Sequence, residues 1–202
     1  SGSVAIVISK ATPTISVSGY TGVYDSAAHG ATGTATGVGG QNLAADLNLG
    51  ASFTAVPGGT ADWVFTDTTG NYTDDSGNVA IVINKGTAVI TWNNPADILY
   101  GTALSATQLN ATSGGVDGTF DYTPASGTVL NAGGGQVLSV QFTPTDTANY
   151  NTPAPKTATI NVNRPAPPIT WSNPADIVYG TALSETQLNA TAGVAGSFAY
   201  DP

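Results

Sequence analysis

The sequence predicts an all-β fold built from tandem β-sandwiches. Three observations predict it: a long internal repeat, a period of two in the apolar residues of each repeat, and clusters of turn residues between the apolar runs. Charged residues make up only 8% of the chain and Glu185 is its single glutamate, whereas exposed helices need many charged helix formers. Hydrophobic residues make up 41%, which is enough to bury β-sheet cores.

The internal repeat appears as two offset pairs of segments. ITWNNPADILYGTALSATQLNAT, which begins at Ile90, returns as ITWSNPADIVYGTALSETQLNAT from Ile169, a period of 79 residues. SGSVAIVISK at Ser1–Lys10 returns as SGNVAIVINK at Ser76–Lys85, a period of 75 residues. The predicted units are residues 1–10 as the last strand of a preceding unit, 11–85 as the first repeat, 86–163 as the second repeat, and 164–202 as the first half of a third repeat.

Within each repeat the apolar residues alternate with polar ones, as in strands with one buried face. Ala158, Ile160 and Val162 alternate with polar residues, and Leu138 and Phe142 lie in a similar run. Turn residues rich in Gly, Asn and Asp separate such runs about every 8–12 residues. A repeat of 75–79 residues therefore holds about seven strands, which is typical of a small immunoglobulin-like sandwich.

The end of each complete repeat carries a recognisable motif. FTDTTGNY at Phe65–Tyr72 and FTPTDTANY at Phe142–Tyr150 each precede a final strand, and VYDSAAHG begins at Val23. These segments resemble bacterial immunoglobulin-like repeat domains of the Tyr-Asp-Gly or MBG type, with Ser26 where glycine is usual. The resemblance covers essentially the whole chain. It implies large surface-displayed or secreted bacterial proteins, including adhesins and stalks, and it implies no active site.

The charge and cysteine content exclude several classes of function. The formal net charge is −9 and only four residues are basic, so there is no basic patch for nucleic acid. No stretch of 18 apolar residues is present, so we expect no membrane insertion in this segment. The chain has no cysteine, which excludes disulfides and thiol chemistry. For a small β-rich domain this fits an extracellular or cell-surface location on a bacterium.

Two polar clusters contain the side-chain types of a catalytic or a calcium site, and both are interpreted as structural. Asp25, Ser26 and His29 carry the three side-chain types of a hydrolase triad, but they lie in one short turn, whereas a triad converges from separate elements. The oxygen-rich group of Asp67, Asp74 and Asp75 suits calcium, but the second repeat lacks the Asp74–Asp75 pair. We therefore predict no enzyme activity, no catalytic or metal-binding residue and no cofactor.

Aromatic residues and lysines raise three further possibilities. Trp92 and Trp171 share strand faces with isoleucines, which predicts core anchors rather than sugar-stacking platforms. Tyr72 and Tyr150 precede the last strand, where a buried ring with a bonded hydroxyl would fix the chain, as a tyrosine corner does. Lysines near strand ends, such as Lys85, also suggest Lys–Asn isopeptide cross-links, although no buried acid to promote the bond is apparent.

The resulting hypothesis is a structural extracellular repeat protein that forms a stalk or filament from units joined end to end. The link from Val82 to Ile90 has scarcely a residue to spare, and the link at 164–168 is proline-rich and semi-rigid. Residues 164–202 have no counterpart of Gly127–Asn163, so we expect strands from neighbouring copies, arranged head to tail, or from continuing chain to complete them. The alternative is an adhesin or glycan-binding module with a cell-surface or glycan ligand.

Overall fold

A computed structural model describes residues 2–201 of the chain. Within this range the fold is nearly all β, and the helical residues are two three-residue 3-10 helices, Val38–Gly40 and Ala44–Asp46. The predicted all-β class is confirmed. The fold separates into two compact units. One comprises the described residues up to Asn93 with Asn110–Thr123 and Ser139–Thr157, and the other comprises Asn94–Leu109, Pro124–Leu138 and the described residues from Ala158 onward.

The strands are numbered in chain order. Those of the first repeat are β1 (Thr14–Ser18), β2 (Tyr20–Val23), β3 (Thr32–Thr36), β4 (Leu47–Asn48), β5 (Gly58–Phe65) and β6 (Asp75–Asn84). Those of the second repeat are β7 (Gly86–Thr87), β8 (Ile98–Leu99), β9 (Gly118–Thr123), β10 (Gly133–Pro144), β11 (Tyr150–Asn151) and β12 (Lys156–Asn163). Those of the third repeat are β13 (Ile169–Thr170) and β14 (Thr191–Ala192).

The first repeat forms a four-stranded sheet and a two-stranded sheet. The larger has the order β2-β6-β5-β4, with β6 antiparallel to β5 and parallel to β2, and the smaller is the antiparallel pair β1-β3. Apolar side chains form the core because alternate residues of each strand point to the same face. Ile81 and Ile83 of β6 are each 1% exposed, and Phe65 and Tyr72 belong to a buried apolar cluster with Ala35 and Leu43.

The second repeat follows a similar plan. Its four-stranded sheet has the order β8-β12-β10-β9, and β7 pairs with β11 in a parallel two-stranded sheet. Ala158, Ile160 and Val162 are buried while their polar neighbours are exposed, which confirms the predicted alternation in β12. Leu138 and Phe142 of β10 are buried in the same way.

Several pairings recur at equivalent positions. Parallel pairing joins β2 to β6 and β8 to β12. The parallel bridge of Ala11 with Tyr72 corresponds to the pairing of Gly86 with Tyr150. The pairing of Thr170 with Thr191 between β13 and β14 repeats the bridge of Thr91 with Thr112, 79 residues earlier in both partners.

The N-terminal segment and the third repeat expose apolar side chains. Residues 2–10 form no strand, and Ile6 and Ile8 are 85% and 92% exposed, although their sequence matches β6. Trp171 is 51% exposed, so the prediction that it is a core anchor is wrong for this chain. Among residues 164–201 no strands equivalent to β10 and β12 cover Trp171, whose ring lies 5.3 Å from that of Tyr200 and whose Nε1 donates to the Gln187 carbonyl.

Candidate functional site: the junction of the first and second repeats

The junction between the first and second repeats contains a single residue outside strands. Strand β6 ends at Asn84 and β7 begins at Gly86, so Lys85 alone lies between them. The Asn84 carbonyl accepts a hydrogen bond from Tyr24 N–H at 2.8 Å, and Gly86 N–H donates to the Asn149 carbonyl at 2.9 Å. The backbone on both sides of Lys85 is therefore held, on one side by the first repeat and on the other by the second.

The Asn149 side chain connects the two repeats. Its Oδ1 accepts a hydrogen bond from the backbone N–H of Val56 at 2.9 Å, and its Nδ2 donates to Oδ2 of Asp146 at 2.7 Å. The backbone N–H of Asn149 also donates to Oδ1 of Asp146, at 3.1 Å. Because the carboxylate accepts from both groups, Asp146 fixes the carboxamide with its oxygen toward Val56.

These hydrogen bonds also change the acidity of Asp146. The bond from the Asn149 side chain, followed by the bond from the Asn149 backbone N–H, lowers the pKa of the Asp146 carboxyl. A weaker contribution in the same direction comes from the charge of Lys85. The hydrogen bonds favour the ionised carboxylate, which is the form that accepts both of them.

Two further contacts cross the same junction. Lys85 Nζ donates to the Thr147 carbonyl at 2.6 Å, so this lysine binds a backbone oxygen of the second repeat. The Tyr24 ring meets the Tyr150 ring edge to face, with centroids 5.3 Å apart and planes at 87°. A methyl group on Gly86 would come within 3.0 Å of the Tyr150 ring, so glycine permits this close approach.

A groove of about 400 Å³ lies beside these contacts. Its lining residues from the first repeat are Tyr24 and Ser26. The second repeat contributes Asp117, Thr145, Asp146 and Tyr150, among others. The lining combines two carboxylates, Asp117 and Asp146, with the Tyr24 and Tyr150 side chains, and the groove forms where the two repeats meet.

The structure brings Asp25 and His29 together. Oδ1 of Asp25 lies 2.9 Å from His29 Nε2 and accepts from Ala27 N–H at 2.9 Å, and the hydrogen bond with the His29 side chain is the main reason that the pKa of Asp25 is lowered. The His29 ring stacks on Tyr20 at 4.0 Å, with an interplanar angle of 7°. These contacts fix the turn that carries Tyr24 and Ser26 to the groove, which is a positioning role for His29.

The carboxylates of the acidic turn in the first repeat accept hydrogen bonds from nearby backbone N–H groups and from one hydroxyl. Asp67 accepts from Tyr72 N–H at 2.7 Å and from Thr69, and the Tyr72 bond is the main cause of its pKa of about 2. Asp74 accepts from Asp67 N–H at 2.9 Å, and Asp75 accepts from Ser76 N–H at 2.9 Å. Among residues 2–201, no group of three or more His, Cys, Asp or Glu side chains is placed to hold a metal ion.

Two aromatic predictions are confirmed. Trp92 is 5% exposed and its ring lies 5.4 Å from that of Tyr122, as expected of a core anchor. Tyr72 is buried and its hydroxyl is satisfied, because it donates to Gln41 Oε1 at 2.8 Å and accepts from Val38 N–H at 3.1 Å. The Tyr150 ring is half-buried against Tyr24, so this tyrosine belongs to the junction.

Sequence reasoning did not identify Val56, Asp146 and Asn149 as a connected group. Asp146 and Asn149 lie in the motif that ends the second repeat, which is the one signal that could have drawn attention to them. Val56 lies 93 residues before Asn149 and contributes only a backbone N–H, which leaves no side-chain signature.

No family model matches the sequence, and a search of curated proteins finds no match. Across residues 2–201, none of the helices has the length and apolar character needed to cross a membrane.

Proposed function

We propose that the chain is a structural segment of an extracellular stalk or filament, made of tandem immunoglobulin-like β-sandwich units held end to end. The observation that supports this most directly is the junction at Lys85. One residue separates the last strand of the first repeat from the first strand of the second, and three kinds of contact cross it.

The physical argument concerns bending. A hinge at Lys85 would have to break the Val56–Asn149 and Lys85–Thr147 hydrogen bonds and separate the tyrosine rings in one movement. Each such hydrogen bond contributes about 0.5–1.5 kcal/mol net, and an aromatic pair about 0.5–1.5 kcal/mol beyond its buried area. Because only one residue links the two strands, the repeats cannot move far enough apart to break these contacts one at a time. Stiffness of this kind suits a spacer more than a hinge between independent domains.

The exposed apolar side chains support the assembly part of the proposal. Ile6 and Ile8 in the N-terminal segment, and Ile169 and Trp171 in the third repeat, are more than half exposed. Apolar strand residues and open sheet edges favour pairing with further strands. We propose that neighbouring copies arranged head to tail, or continuing chain, supply these strands, and that the protein acts outside the cell or at its surface.

A double spin-label experiment tests the stiffness. The chain has no cysteine, so Thr60→Cys and Thr157→Cys introduce one exposed label in each repeat. We expect a narrow distribution of distances by pulsed electron paramagnetic resonance. The matched control inserts Gly-Ser-Gly-Ser between Lys85 and Gly86, which should broaden the distribution. An equally broad distribution without the insertion would refute a stiff stalk.

A further inference from the structure

The N-terminal end of the first repeat presents the same surface that the second repeat uses at the junction. Ala11 N–H donates to the Asn71 carbonyl at 2.8 Å, as Gly86 N–H donates to the Asn149 carbonyl at 2.9 Å. Ala11 pairs in parallel with Tyr72, as Gly86 pairs with Tyr150. The two ends therefore match in sequence and in backbone pairing.

The Asn71 carboxamide is held as the Asn149 carboxamide is. Its Nδ2 donates to Thr69 Oγ1 at 3.0 Å, where Nδ2 of Asn149 donates to Asp146. In the second repeat, fixing the nitrogen leaves the oxygen to accept from Val56 of the neighbouring repeat. In the first repeat, Asn71 likewise has its side-chain nitrogen held by a hydrogen bond, and it lies immediately before Tyr72 as Asn149 lies before Tyr150.

An apolar residue and a groove accompany this asparagine. Val38 is 72% exposed, whereas Val116, which occupies the equivalent position 78 residues later, is partly buried at the junction groove. A groove of about 230 Å³ lies beside Val38, and Lys10, Asn71 and Tyr72 are among its lining residues. Lys10 immediately precedes Ala11, which pairs with Tyr72, just as Lys85 immediately precedes Gly86, which pairs with Tyr150.

We infer that the surface formed by Val38 and Asn71 is a docking site for the C-terminal end of another repeat of this kind, joined through Lys10. The backbone N–H equivalent to that of Val56 in the docked repeat donates to Asn71 Oδ1, and Lys10 reaches the Thr69 carbonyl as Lys85 reaches Thr147. This occupant is favoured because residues 2–10 match β6, the strand that leads into the described junction. The inference rests on the proposed function and names the contact by which a stalk would extend.

The test lengthens the 202-residue chain at its N-terminal end. A copy of residues 11–75 is placed ahead of Ser1, so that Ser1–Lys10 completes the added repeat, and amide hydrogen exchange is measured by NMR. Val56 N–H, which is bonded to Asn149, provides the internal standard. We expect the Val56 amide of the added repeat to be protected within about tenfold of that standard. Asn71→Ala should remove its protection, and Asn71→Asp, which keeps an acceptor oxygen, should preserve it.

The variants distinguish a failure of the docking inference from a failure of the proposed stiff junction. Asn149→Ala should remove protection at the original Val56 and leave the added one unchanged. If the original Val56 amide is protected and the added one exchanges freely, the docking inference is wrong and the proposed function stands. If neither is protected, the stiff junction itself is wrong. An unchanged dispersion of the amide spectrum verifies that Asn71→Ala remains folded. If the original chain instead self-associates reversibly through Val38 in sedimentation experiments, separate copies occupy the site and the assigned occupant is wrong.

Discussion

The side chain of Asn149 accepts a hydrogen bond from the backbone N–H of Val56, 93 residues earlier, at 2.9 Å. The Asp146 carboxylate binds the other end of the same carboxamide at 2.7 Å, so the asparagine cannot rotate away without losing both partners. Apart from proline, no substitution at position 56 removes this main-chain donor. The asparagine and its supporting aspartate are therefore the positions at which substitution weakens this joint.

Asn149→Ala should loosen the joint without unfolding either repeat. The substitution leaves the half-buried Val56 N–H without its acceptor, which costs about 1–3 kcal/mol. We expect a broader Thr60–Thr157 spin-label distance distribution and faster exchange at the Val56 amide. Asn151→Ala is the matched control, because its Nδ2 makes only a 3.5 Å contact with Thr87 Oγ1. Equal effects of the two substitutions would contradict the role of Asn149.

Trp92→Ala and Trp171→Ala should differ in their effects on stability, although the two tryptophans are 79 residues apart in repeated sequence. Emptying the buried Trp92 site should cost about 3–5 kcal/mol in the free energy of unfolding. Trp171 is 51% exposed, so its loss should cost less than about 1 kcal/mol. Denaturant titration of both variants checks this. A large loss for Trp171→Ala would mean that this ring is covered in solution.

Acid should destabilise the first repeat through Asp67. Its folded pKa of about 2 lies below the ordinary value of 3.8, so the unfolded chain takes up a proton first as pH falls. The contribution is fully present above the ordinary value and is lost as pH falls through about 2. Unfolding free energies measured between pH 5 and pH 2, an interval of about three units around these pKa values, should fall less steeply in Asp67→Asn. Identical slopes would contradict this assignment.

Two glycines with positive φ allow the cost of backbone strain to be measured apart from the cost of a steric collision. Gly58 has φ 89° and Gly70 has φ 81°. A Cβ at Gly58 would collide with the backbone carbonyl of Ile81, whereas a Cβ at Gly70 meets nothing within 4 Å. Gly70→Ala should therefore cost about 1–2 kcal/mol from strain alone, and Gly58→Ala about 3 kcal/mol or more, both measured by denaturant titration. Equal costs would show that β5 relaxes away from β6.

The features predicted correctly from sequence are those set by local patterns. Alternation along β12 identified the buried residues Ala158, Ile160 and Val162, and the aromatic type and position of Trp92 and Tyr72 identified them as structural. Each of these depends on the neighbouring strand face or on one nearby turn.

The joint between the repeats could not be predicted in the same way. The short link at Lys85 is visible in the sequence and predicts stiffness, but the contacts that cross the junction are not visible in the sequence. Val56 contributes a main-chain donor, and Asn149 in a turn motif is explained equally well by local turn chemistry. Trp171 was mispredicted because its sequence repeats that of Trp92, while its surroundings lack β10 and β12.

The parallel pairing of β2 with β6 determines how the first repeat responds to tension. Tyr20–Val23 pairs in register with Ile81–Asn84, and the chain leaves the repeat at the end of β6. In the proposed stalk, tension would pull β6 toward the second repeat while β2 is retained by the opposite end of the first repeat. The two strands then slide along each other's length, so that their evenly spaced hydrogen bonds are loaded together and do not open one after another. The parallel pairing of Ile98–Leu99 with Val162–Asn163 would place the second repeat of the proposed stalk under the same kind of shear.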